Sequence, residues 1–292
     1  MKPLVTVVVP AYNHEKYIIE CLDSIANQTF KNFQWIVVDD CSKDRTAQIL
    51  KEKKMKYGYQ LILHEKNMGL SATLTDVLST YAEGKYISLC ASDDFWEVEK
   101  LAKQVEFLEK HPDCAIVYGK TYYVNSESVR LQKYKYRQNY KGGYVFKDII
   151  TQNFHPPVNY MYRHSVLKAL GYYKSGVIAE DFYMNCLIAH DYKFGYIPEF
   201  ISSYRVEELE KKRDPFILMK SHLYTIELFK GCQEYEIAIR KFYLRSFRLL
   251  SRYQKYKIVA LKYMLLSYRD FFSISYWKSI ILLFYKWEKI YI

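Results

Sequence analysis

The sequence predicts an α/β protein: a Rossmann-like, mostly parallel sheet flanked by helices and followed by a C-terminal helical region. Two observations lead to this fold class. Short apolar, β-branched segments alternate with helix-like segments in the first third of the chain, and strands without a polar face are typical of a parallel sheet that helices cover on both sides. From about residue 214 onward the pattern is helical to the end. The 292 residues, half of them hydrophobic, suffice for one large domain with an appendage or for two domains.

The alternation can be followed element by element. We predict strands in four segments: "LVTVVVPAY", "FQWIVVDD", "YQLILHE" and "KYISLCASDD". Between them we predict helices in "HEKYIIECLDSIANQ", "KDRTAQILKEKKMKY" and "GLSATLTDVLSTYA". Ser42 and Asp44 are candidate caps of the second helix, because their side-chain oxygens can accept hydrogen bonds from its first N–H groups.

Between about residues 105 and 205 the pattern is mixed. We predict strands in "CAIVYGKTYYV" and "FGYIPEFISSYR", and short helices in "FKDIITQN" and "RHSVLKALG". The segment "YVNSESVRLQKYKYRQNYKGGY" is polar, aromatic and basic, which indicates a surface loop or ribbon. We therefore predict a domain over residues 1–205 and a basic, aromatic-rich helical region over residues 206–292.

Acidic residues follow several of the predicted strands. The strand ends hold Ala11-Tyr12-Asn13, Asp39-Asp40, His64-Glu65 and Asp93-Asp94. Ligands of such sheets bind at the carboxyl ends of the strands, and a divalent cation can bridge carboxylates to phosphates. A single Asp pair is more often a turn or a helix cap. Two pairs at equivalent strand ends favour a nucleotide diphosphate held through a metal ion.

Several motifs occur in a recognisable order. The N-terminal block "VTVVVPAYNHEKYIIECLDSIANQTFKNFQWIVVDDCSKDRT" is followed by "NMGLSA", "YISLCASDDFW" and "YRHSVLKALGYYKSGVIAEDFYMNCLIA". Each motif alone is weak, but their order and spacing over about residues 4–205 are specific. The chain resembles the family 2 glycosyltransferases of the GT-A fold, of the type that builds bacterial surface glycans.

The resemblance implies inverting transfer of a sugar from a nucleotide-diphospho-sugar, with Mn²⁺ or Mg²⁺ as cofactor. Asp93 corresponds to the metal-binding carboxylate, with Asp94 as a second candidate ligand. Asp181, in the Glu180-Asp181 pair, corresponds to the general base, although acids also commonly begin helices because they suit the helix dipole. The residues expected around the donor are Pro10, Ala11, Tyr12, Asn13, Asp39, Asp40, Asn67, Gly69, Ser92 and Asp93.

The chemistry of these residue types agrees with the implied reaction. A diphosphate is a good leaving group once a cation neutralises its charge. The acceptor hydroxyl then needs only a positioned base, which a carboxylate provides. A single displacement inverts the anomeric centre, so that no second carboxylate is needed as a nucleophile, in contrast to retaining sugar hydrolysis.

The chain departs from the family pattern at three places. Ala91 stands at the first Asp of the D-x-D motif, which leaves Asp93 as the main metal anchor. Leu74 and Thr75 stand where the family often has Arg-Asn. Glu207 stands where the family often has a His near the metal or diphosphate, and its carboxylate is a candidate metal ligand.

Three further residues have two interpretations each. Trp96 can stack on a sugar or pack at the start of a helix. Arg163 and Arg205 can contact phosphate or pair with neighbouring acids, and the sequence favours neither role.

Two other functions are compatible with the same motifs. The departures at Leu74 and Glu207 suggest a catalytically inactive, sugar-nucleotide-binding scaffold of the same fold. A nucleotidyltransferase also combines a metal with an α/β sheet, but we find no glycine-rich, basic phosphate loop near the first strand. This second alternative therefore ranks below the scaffold.

The positive charge is concentrated in the C-terminal region. Residues 1–205 hold 26 basic and 23 acidic residues, whereas residues 206–292 hold 17 and 9, a net charge of +8 out of +11. Basic residues recur every seven positions, at Lys241, Arg248, Lys255, Lys262 and Arg269. On one continuous helix they would share a slowly drifting face.

This region can be a helical cap with a solvated polar face or an interfacial segment on an anionic membrane. We favour peripheral attachment through residues 240–292, because "SIILLFY" is far shorter than the ~20 residues that span a bilayer. We expect no nucleic-acid partner, since no recognised motif accompanies the basic surface. A membrane-surface position suits a saccharide or lipid-linked acceptor.

The cysteines and the N-terminus bear on the cellular compartment. The six cysteines are scattered without metal-like spacing, which favours buried free thiols in a reducing cytoplasm. "MKPLVTVVVPAYN" lacks the features of a signal peptide. We expect a cytoplasmic protein on the inner face of the cytoplasmic membrane.

Overall fold

The computed structural model describes residues 2–131, 139–206 and 214–284. The chain divides into two compact units. The first unit comprises Met1–Val145 and Pro156–Glu208, and the second comprises Phe146–His155 and Leu209–Ile292.

The first unit is built on an eight-stranded mixed sheet with the order β3-β2-β1-β4-β7-β6-β8-β5. Its strands are β1 (Val5–Ala11), β2 (Phe33–Asp39), β3 (Gln60–Leu63), β4 (Tyr86–Leu89), β5 (Phe95–Trp96), β6 (Cys114–Val124), β7 (Met161–Arg163) and β8 (Lys193–Arg205). Four pairings are parallel: β1 with β2, β1 with β4, β2 with β3, and β6 with β8. The pairings of β4 with β7, β6 with β7, and β5 with β8 are antiparallel.

Helices alternate with these strands and continue through the second unit. The helices of the first unit are α1 (Ile18–Ala26), α2 (Thr46–Tyr57), α3 (Leu70–Tyr81), α4 (Lys100–Lys110), α6 (His164–Ala169) and α7 (Glu180–Asp191). The second unit holds α5 (Phe146–Ile150), α8 (Pro215–Glu227), α9 (Tyr235–Leu250), α10 (Lys257–Leu266) and α11 (Ile274–Phe284).

The core of the first unit explains why its strands are apolar throughout. Val7, Val8 and Val9 of β1 are all fully buried, although successive side chains point to opposite faces of the sheet. On one side, α1 buries an apolar stripe with helical spacing, which consists of Ile18, Cys21, Leu22 and Ile25. The prediction of a sheet covered on both faces is therefore confirmed.

The sheet is more mixed than the predicted, mostly parallel one. Two short strands, β5 and β7, were not among the predicted elements, because two or three residues carry no measurable periodicity. In the sheet, β7 lies between β4 and β6. Because Met161 pairs with Ser88 in an antiparallel register, the start of β7 lies at the edge of the sheet where β4 ends.

The boundary between the two units differs from the predicted division at residue 205. The segment Phe146–His155 belongs to the second unit, although it lies within the predicted first domain. Its contacts explain the difference. The Arg245 guanidinium donates to the carbonyls of Thr151 and Gln152, at 2.8 and 2.9 Å, and the Phe146 ring lies 4.9 Å from that of Phe229.

The predicted heptad of basic residues does not form one face, because the C-terminal region is not one continuous helix. After α9 the chain turns at Ser251, whose hydroxyl donates to the Phe247 carbonyl at 2.7 Å, and Tyr253 adopts extended backbone. A second turn separates α10 from α11. Lys241 and Lys255 instead donate to Asn153 and Asp214 within the second unit.

Candidate active site

Three loops meet where β1, β2 and β4 end. Ala11 is in register with Asp39, and the Asp40 N–H donates to the Ala11 carbonyl at 2.9 Å. On the other side of β1, the Cys90 N–H donates to the Val8 carbonyl at 3.0 Å. The carboxyl edge therefore brings together the loops after these three strands, as the predicted topology requires.

The loops after β1 and β2 are joined through Asp39, Ser42 and Asn13. Buried Asp39 accepts hydrogen bonds from both the N–H and the hydroxyl of Ser42. The Ser42 hydroxyl in turn accepts the Asn13 N–H at 3.0 Å, while the Asn13 side-chain oxygen accepts the Lys43 N–H at 2.7 Å. Asn13 has a φ of 56°, a conformation that Asn tolerates better than most residues. These bonds hold the neighbouring Tyr12 at the surface, where it is exposed.

One of the two predicted caps of α2, Asp44, accepts a hydrogen bond from the first N–H group of the helix, whereas Ser42 does not. Ser42 instead joins the loop after β2 to the loop after β1. Asp44 accepts hydrogen bonds from the N–H and the hydroxyl of Thr46, the first residue of α2, at 2.9 and 2.6 Å. Asp44 also accepts the Glu15 N–H, so that it connects the start of α2 to the loop after β1.

Asp40 acts as a brace for the loop that precedes α3. Its carboxylate accepts the N–H groups of Met68 and Gly69, both at 2.9 Å, and lies 3.0 Å from Nδ1 of His64. The Asn67 amide donates to the Asp40 carbonyl. Burial raises the pKa of Asp40, but these hydrogen bonds outweigh it, so that the pKa lies below its usual value of 3.8. Asp40, which is itself predicted to bind the sugar donor, thus positions two other predicted donor-binding residues, Asn67 and Gly69.

We expect Asp40→Asn to lower the free energy of unfolding at neutral pH by about 1.5–3 kcal/mol, because an amide can accept only part of these bonds. Since the pKa of Asp40 is depressed in the folded state, its contribution is complete above pH 3.8 and is lost as the pH falls through the folded pKa. Denaturant unfolding of both proteins should therefore show a difference in the free energy of unfolding that is constant from about pH 7 to about pH 5 and narrows as the pH falls further, to about pH 2. A difference that does not narrow below about pH 4 would contradict the assignment.

Asp93 lies beside His14 at the end of β4. Its side chain is 20% exposed, and the distance from its Oδ1 to Nδ1 of His14 is 3.8 Å. The same His14 nitrogen is hydrogen-bonded to the Ser92 hydroxyl at 2.7 Å. His14 is not among the site residues predicted from the sequence; its position two residues after Tyr12, at the end of the strand, is the signal that points to it.

Asp94 and Arg205 form a buried support beneath Asp93. Asp94 accepts the Arg205 N–H at 2.8 Å, and burial raises the pKa of this carboxyl well above its usual value, with the Asp93 charge adding to the effect. The Arg205 guanidinium donates to the Asp93 carbonyl at 2.9 Å and to the Glu20 carboxylate. Arg205 therefore fixes the Asp93 backbone through protein contacts, and not through phosphate.

The residues around Asp93 fit a cation that is held mainly by a bound diphosphate. Among the described residues no group of three or more His, Cys, Asp or Glu is arranged to hold a metal ion. Mg²⁺-type sites commonly use one or two carboxylates together with substrate phosphates. Asp93 supplies such a carboxylate, whereas Asp94 is buried and bonded to the backbone. The third predicted ligand, Glu207, lies outside the described residues.

Glu180 and Asp181 form the first turn of α7. Asn185, one turn further along α7, donates to the Tyr160 hydroxyl at 2.9 Å, and Tyr160 immediately precedes β7 at the carboxyl edge. Burial raises the pKa of Tyr160, and the charge of nearby Asp181 raises it further. The start of α7 is therefore connected to the edge of the sheet where β4 ends.

The loop before α7 is also connected to α3. Ser71 donates to the Val177 carbonyl at 2.6 Å, and Thr75 donates to the Tyr173 carbonyl at 2.7 Å. Leu74 is buried in the core. The two departures at Leu74 and Thr75 thus have packing and hydrogen-bonding roles.

Trp96, Lys100 and Arg163 contact protein groups. Trp96 is buried, with the Lys100 ammonium 3.9 Å from its ring centroid, so that it packs and does not stack on a ligand. Lys100 donates to Ser88 of β4, and burial lowers its pKa to about 7. Arg163 donates to carbonyls at the end of α4, those of Leu108 and His111, and is therefore no phosphate ligand.

The comparisons with known proteins agree with this architecture. The family described as "Glycosyl transferase family 2" matches residues 6–171, more than half of the chain. An uncharacterized glycosyltransferase of Methanocaldococcus jannaschii, MJ1057, is 32% identical over 241 residues, which cover 78% of this chain and 79% of that protein. The putative teichuronic acid biosynthesis glycosyltransferase TuaG of Bacillus subtilis is 36% identical over 39% of this chain and 45% of its own length.

Two solved structures share the fold. TarS 1–349 of Staphylococcus aureus, in complex with UDP-GlcNAc, matches with a TM-score of 0.65 and 21% identity over 88% of this chain and 76% of that chain. The mannosyltransferase PcManGT of Pyrobaculum calidifontis, in complex with GDP-Man and Mn²⁺, matches with a TM-score of 0.57 and 17% identity over 94% and 88%. Together with the family match, these similarities confirm the predicted resemblance: the chain belongs to glycosyl transferase family 2.

Proposed function

We propose that the protein is an inverting, metal-dependent glycosyltransferase that moves a hexosyl or N-acetylhexosaminyl group from a UDP-sugar to a hydroxyl of a cell-surface glycan or lipid-linked saccharide. The observation that carries the proposal is the meeting of the Ala11, Asp39 and Asp93 loops at one edge of the sheet. A partly exposed carboxylate, Asp93, stands at this edge beside an imidazole.

The donor and cofactor are inferred from the relatives. TarS, a poly(ribitol-phosphate) β-N-acetylglucosaminyltransferase, was solved with UDP and with UDP-GlcNAc, which supports a UDP-sugar here. The Mn²⁺ in the PcManGT complex supports Mn²⁺ or Mg²⁺ at Asp93. TuaG is named for teichuronic acid biosynthesis and TarS for transfer to poly(ribitol-phosphate), which supports a surface-glycan acceptor.

The residues at the edge have separate tasks in this proposal. Pro10, Ala11 and Tyr12 form the wall around the base and ribose, and Asp39 contacts the base in addition to accepting from Ser42. The loop that Asp40 braces, with Asn67 and Gly69, lies along the nucleotide. A divalent cation at Asp93 would neutralise the diphosphate and make it a better leaving group.

Asp181 is the proposed base for the acceptor hydroxyl. It takes the proton from the hydroxyl oxygen while that oxygen attacks the anomeric carbon, and the bond to the diphosphate breaks. Glu180 precedes it in the first turn of α7, where the helix dipole stabilises acidic side chains. Because the displacement is single, the chain needs no carboxylate nucleophile.

The products distinguish this function from its alternatives. We expect the full-length protein to release UDP from at least one of a panel of UDP-sugars, with Mn²⁺ and a bacterial cell-envelope extract as acceptor, and to stop when the cation is chelated. Pyrophosphate as the product would identify a nucleotidyltransferase. Tight UDP binding without turnover on any acceptor would identify a sugar-nucleotide-binding scaffold.

We also infer that the protein works at the cytoplasmic face of the membrane, where a lipid-linked acceptor would be presented. The described cysteines, which include all six of the chain, are free thiols, consistent with a reducing compartment. No helix among the described residues has both the length and the apolar character needed to cross a bilayer.

A further inference from the structure

The second unit presents an unusual apolar surface on α10 and α11, which we name the α10–α11 face. Large hydrophobic side chains on it are mostly exposed: Phe272, between the helices, is 96% exposed and Ile258 is 85% exposed. Leu265 of α10 and Ile281 and Phe284 of α11 are also exposed. Single exposed hydrophobic residues are ordinary, but several on two helices that contact each other indicate an interaction site.

The spacing shows that this exposure belongs to one side of each helix. On α10, Ile258 and Leu265 are exposed seven residues apart, while Ala260 and Tyr263 are buried. On α11, Ile274 and Ile281 are exposed at the same spacing, while Ser279 and Leu283 are buried. The outer sides of these helices are therefore apolar, which excludes the interpretation of this surface as a solvated polar face.

Positive charge accompanies the apolar side chains. Over residues 257–284 the chain holds four basic residues and one acid, Asp270, a net charge of +3. Asp270 is itself paired with Arg240 at 2.7 Å. Lys262 and Lys278, both exposed, lie within the outer sides of α10 and α11.

We propose that the α10–α11 face docks on an anionic lipid bilayer, and this gives the peripheral attachment proposed above its surface. At a bilayer the apolar side chains would enter the acyl boundary while Lys262 and Lys278 extend to the lipid phosphates. In a contact between two copies, by contrast, these lysines would enter an apolar interface. The one acid among the described residues of this face, Asp270, is already paired with Arg240. The like charges of the lysines would therefore oppose association.

The dimensions of the helices fit a position in the interface. At 1.5 Å per residue, the eleven residues of α11 extend about 16 Å, roughly half of the bilayer's hydrocarbon thickness. A helix of this length can lie along the boundary between headgroups and acyl chains without crossing the bilayer.

The test is sedimentation of the full-length protein with vesicles of phosphatidylcholine containing phosphatidylglycerol. We expect Phe272→Glu to lower the partition coefficient by about tenfold or more, because the variant loses the free energy that a Phe side chain gains on leaving water for an apolar environment. Met55→Glu is a matched control, since Met55 of α2 is 90% exposed and the substitution changes the charge equally. A Lys262→Gln/Lys278→Gln variant should lose about fivefold per lysine, and the wild-type partition coefficient should fall with added salt.

Two results would overturn the proposal. The first is equal partitioning of Phe272→Glu and Met55→Glu. The second is a dimer of the wild-type protein, observed by sedimentation velocity without vesicles, together with a monomeric Phe272→Glu variant. This result would assign the face to a second copy of the chain. Neither readout uses sugar transfer, so the proposed reaction and the membrane surface can fail independently.

Discussion

Asp181→Asn is expected to lower kcat for sugar transfer by about 10²- to 10⁴-fold, the range that general-base catalysis contributes. The amide cannot take the proton from the acceptor hydroxyl, while its shape is nearly that of the carboxylate. UDP-sugar binding, measured by calorimetry in the absence of acceptor, should change little. The combination of lost turnover and retained donor binding separates a base from a residue that only holds the donor.

Asp191→Asn is the matched control for this prediction. Asp191 ends the same helix, α7, its side chain is 60% exposed, and its carboxylate lies 2.7 Å from Nδ1 of its neighbour His190. The same Asp-to-Asn change there should leave kcat unchanged. An Asp181→Asn enzyme with wild-type kcat would remove Asp181 from the mechanism.

Asp93→Asn is expected to lower kcat/KM for the UDP-sugar by about 10³-fold, because a cation at a diphosphate contributes several kcal/mol of charge stabilisation. A neutral amide at this position would hold a cation far more weakly than a carboxylate does. The readout besides activity is UDP affinity with and without Mn²⁺. Mn²⁺ should strengthen UDP binding to the wild type and should have little effect on the variant.

Asp113→Asn provides the comparison for Asp93→Asn. Asp113 belongs to the same unit, but it is half-exposed and pairs with Lys193 at 2.7 Å on the surface. Such exposed pairs contribute about 0–1 kcal/mol to stability, so this variant should behave like the wild type. Equal enhancement of UDP binding by Mn²⁺ in wild type and Asp93→Asn would show that the cation is held elsewhere.

The sequence predicted those elements whose pattern is long enough to be recognised. The valine-rich β1 and the apolar stripe of α1 each contain several residues that repeat one environment, and the structure confirms both. The strands β5 and β7 could not be predicted in this way, since their two or three residues are fixed by pairing with β8, β4 and β6. Tertiary pairing decides such short strands.

The residues at the carboxyl edge could also be predicted, but their hydrogen-bond partners could not. Asp40 and Asp94 stand at strand ends like their neighbours Asp39 and Asp93. What distinguishes them are partners from distant parts of the chain: Gly69 for Asp40 and Arg205 for Asp94. A sequence shows that two carboxylates are adjacent, whereas the fold decides which hydrogen-bond partners each of them has.

The C-terminal region shows the same limit in another form. A seven-residue repeat indicates one face only if the helix is continuous, and the turns after α9 and α10 break it. Apolar side chains of α10 and α11 are exposed on the outer sides of these helices instead. Composition identified the region, and the turns determined which of its residues face outward.

The proposed reaction is a single, inverting displacement at this edge of the sheet. The most direct test is ¹H NMR of the first transfer product formed by the wild-type protein from the UDP-sugar that it turns over. We predict that the transferred sugar has the anomeric configuration opposite to that of the donor, in every turnover. A product that retains the donor's configuration would contradict the account, because retention would require a nucleophile in place of a base.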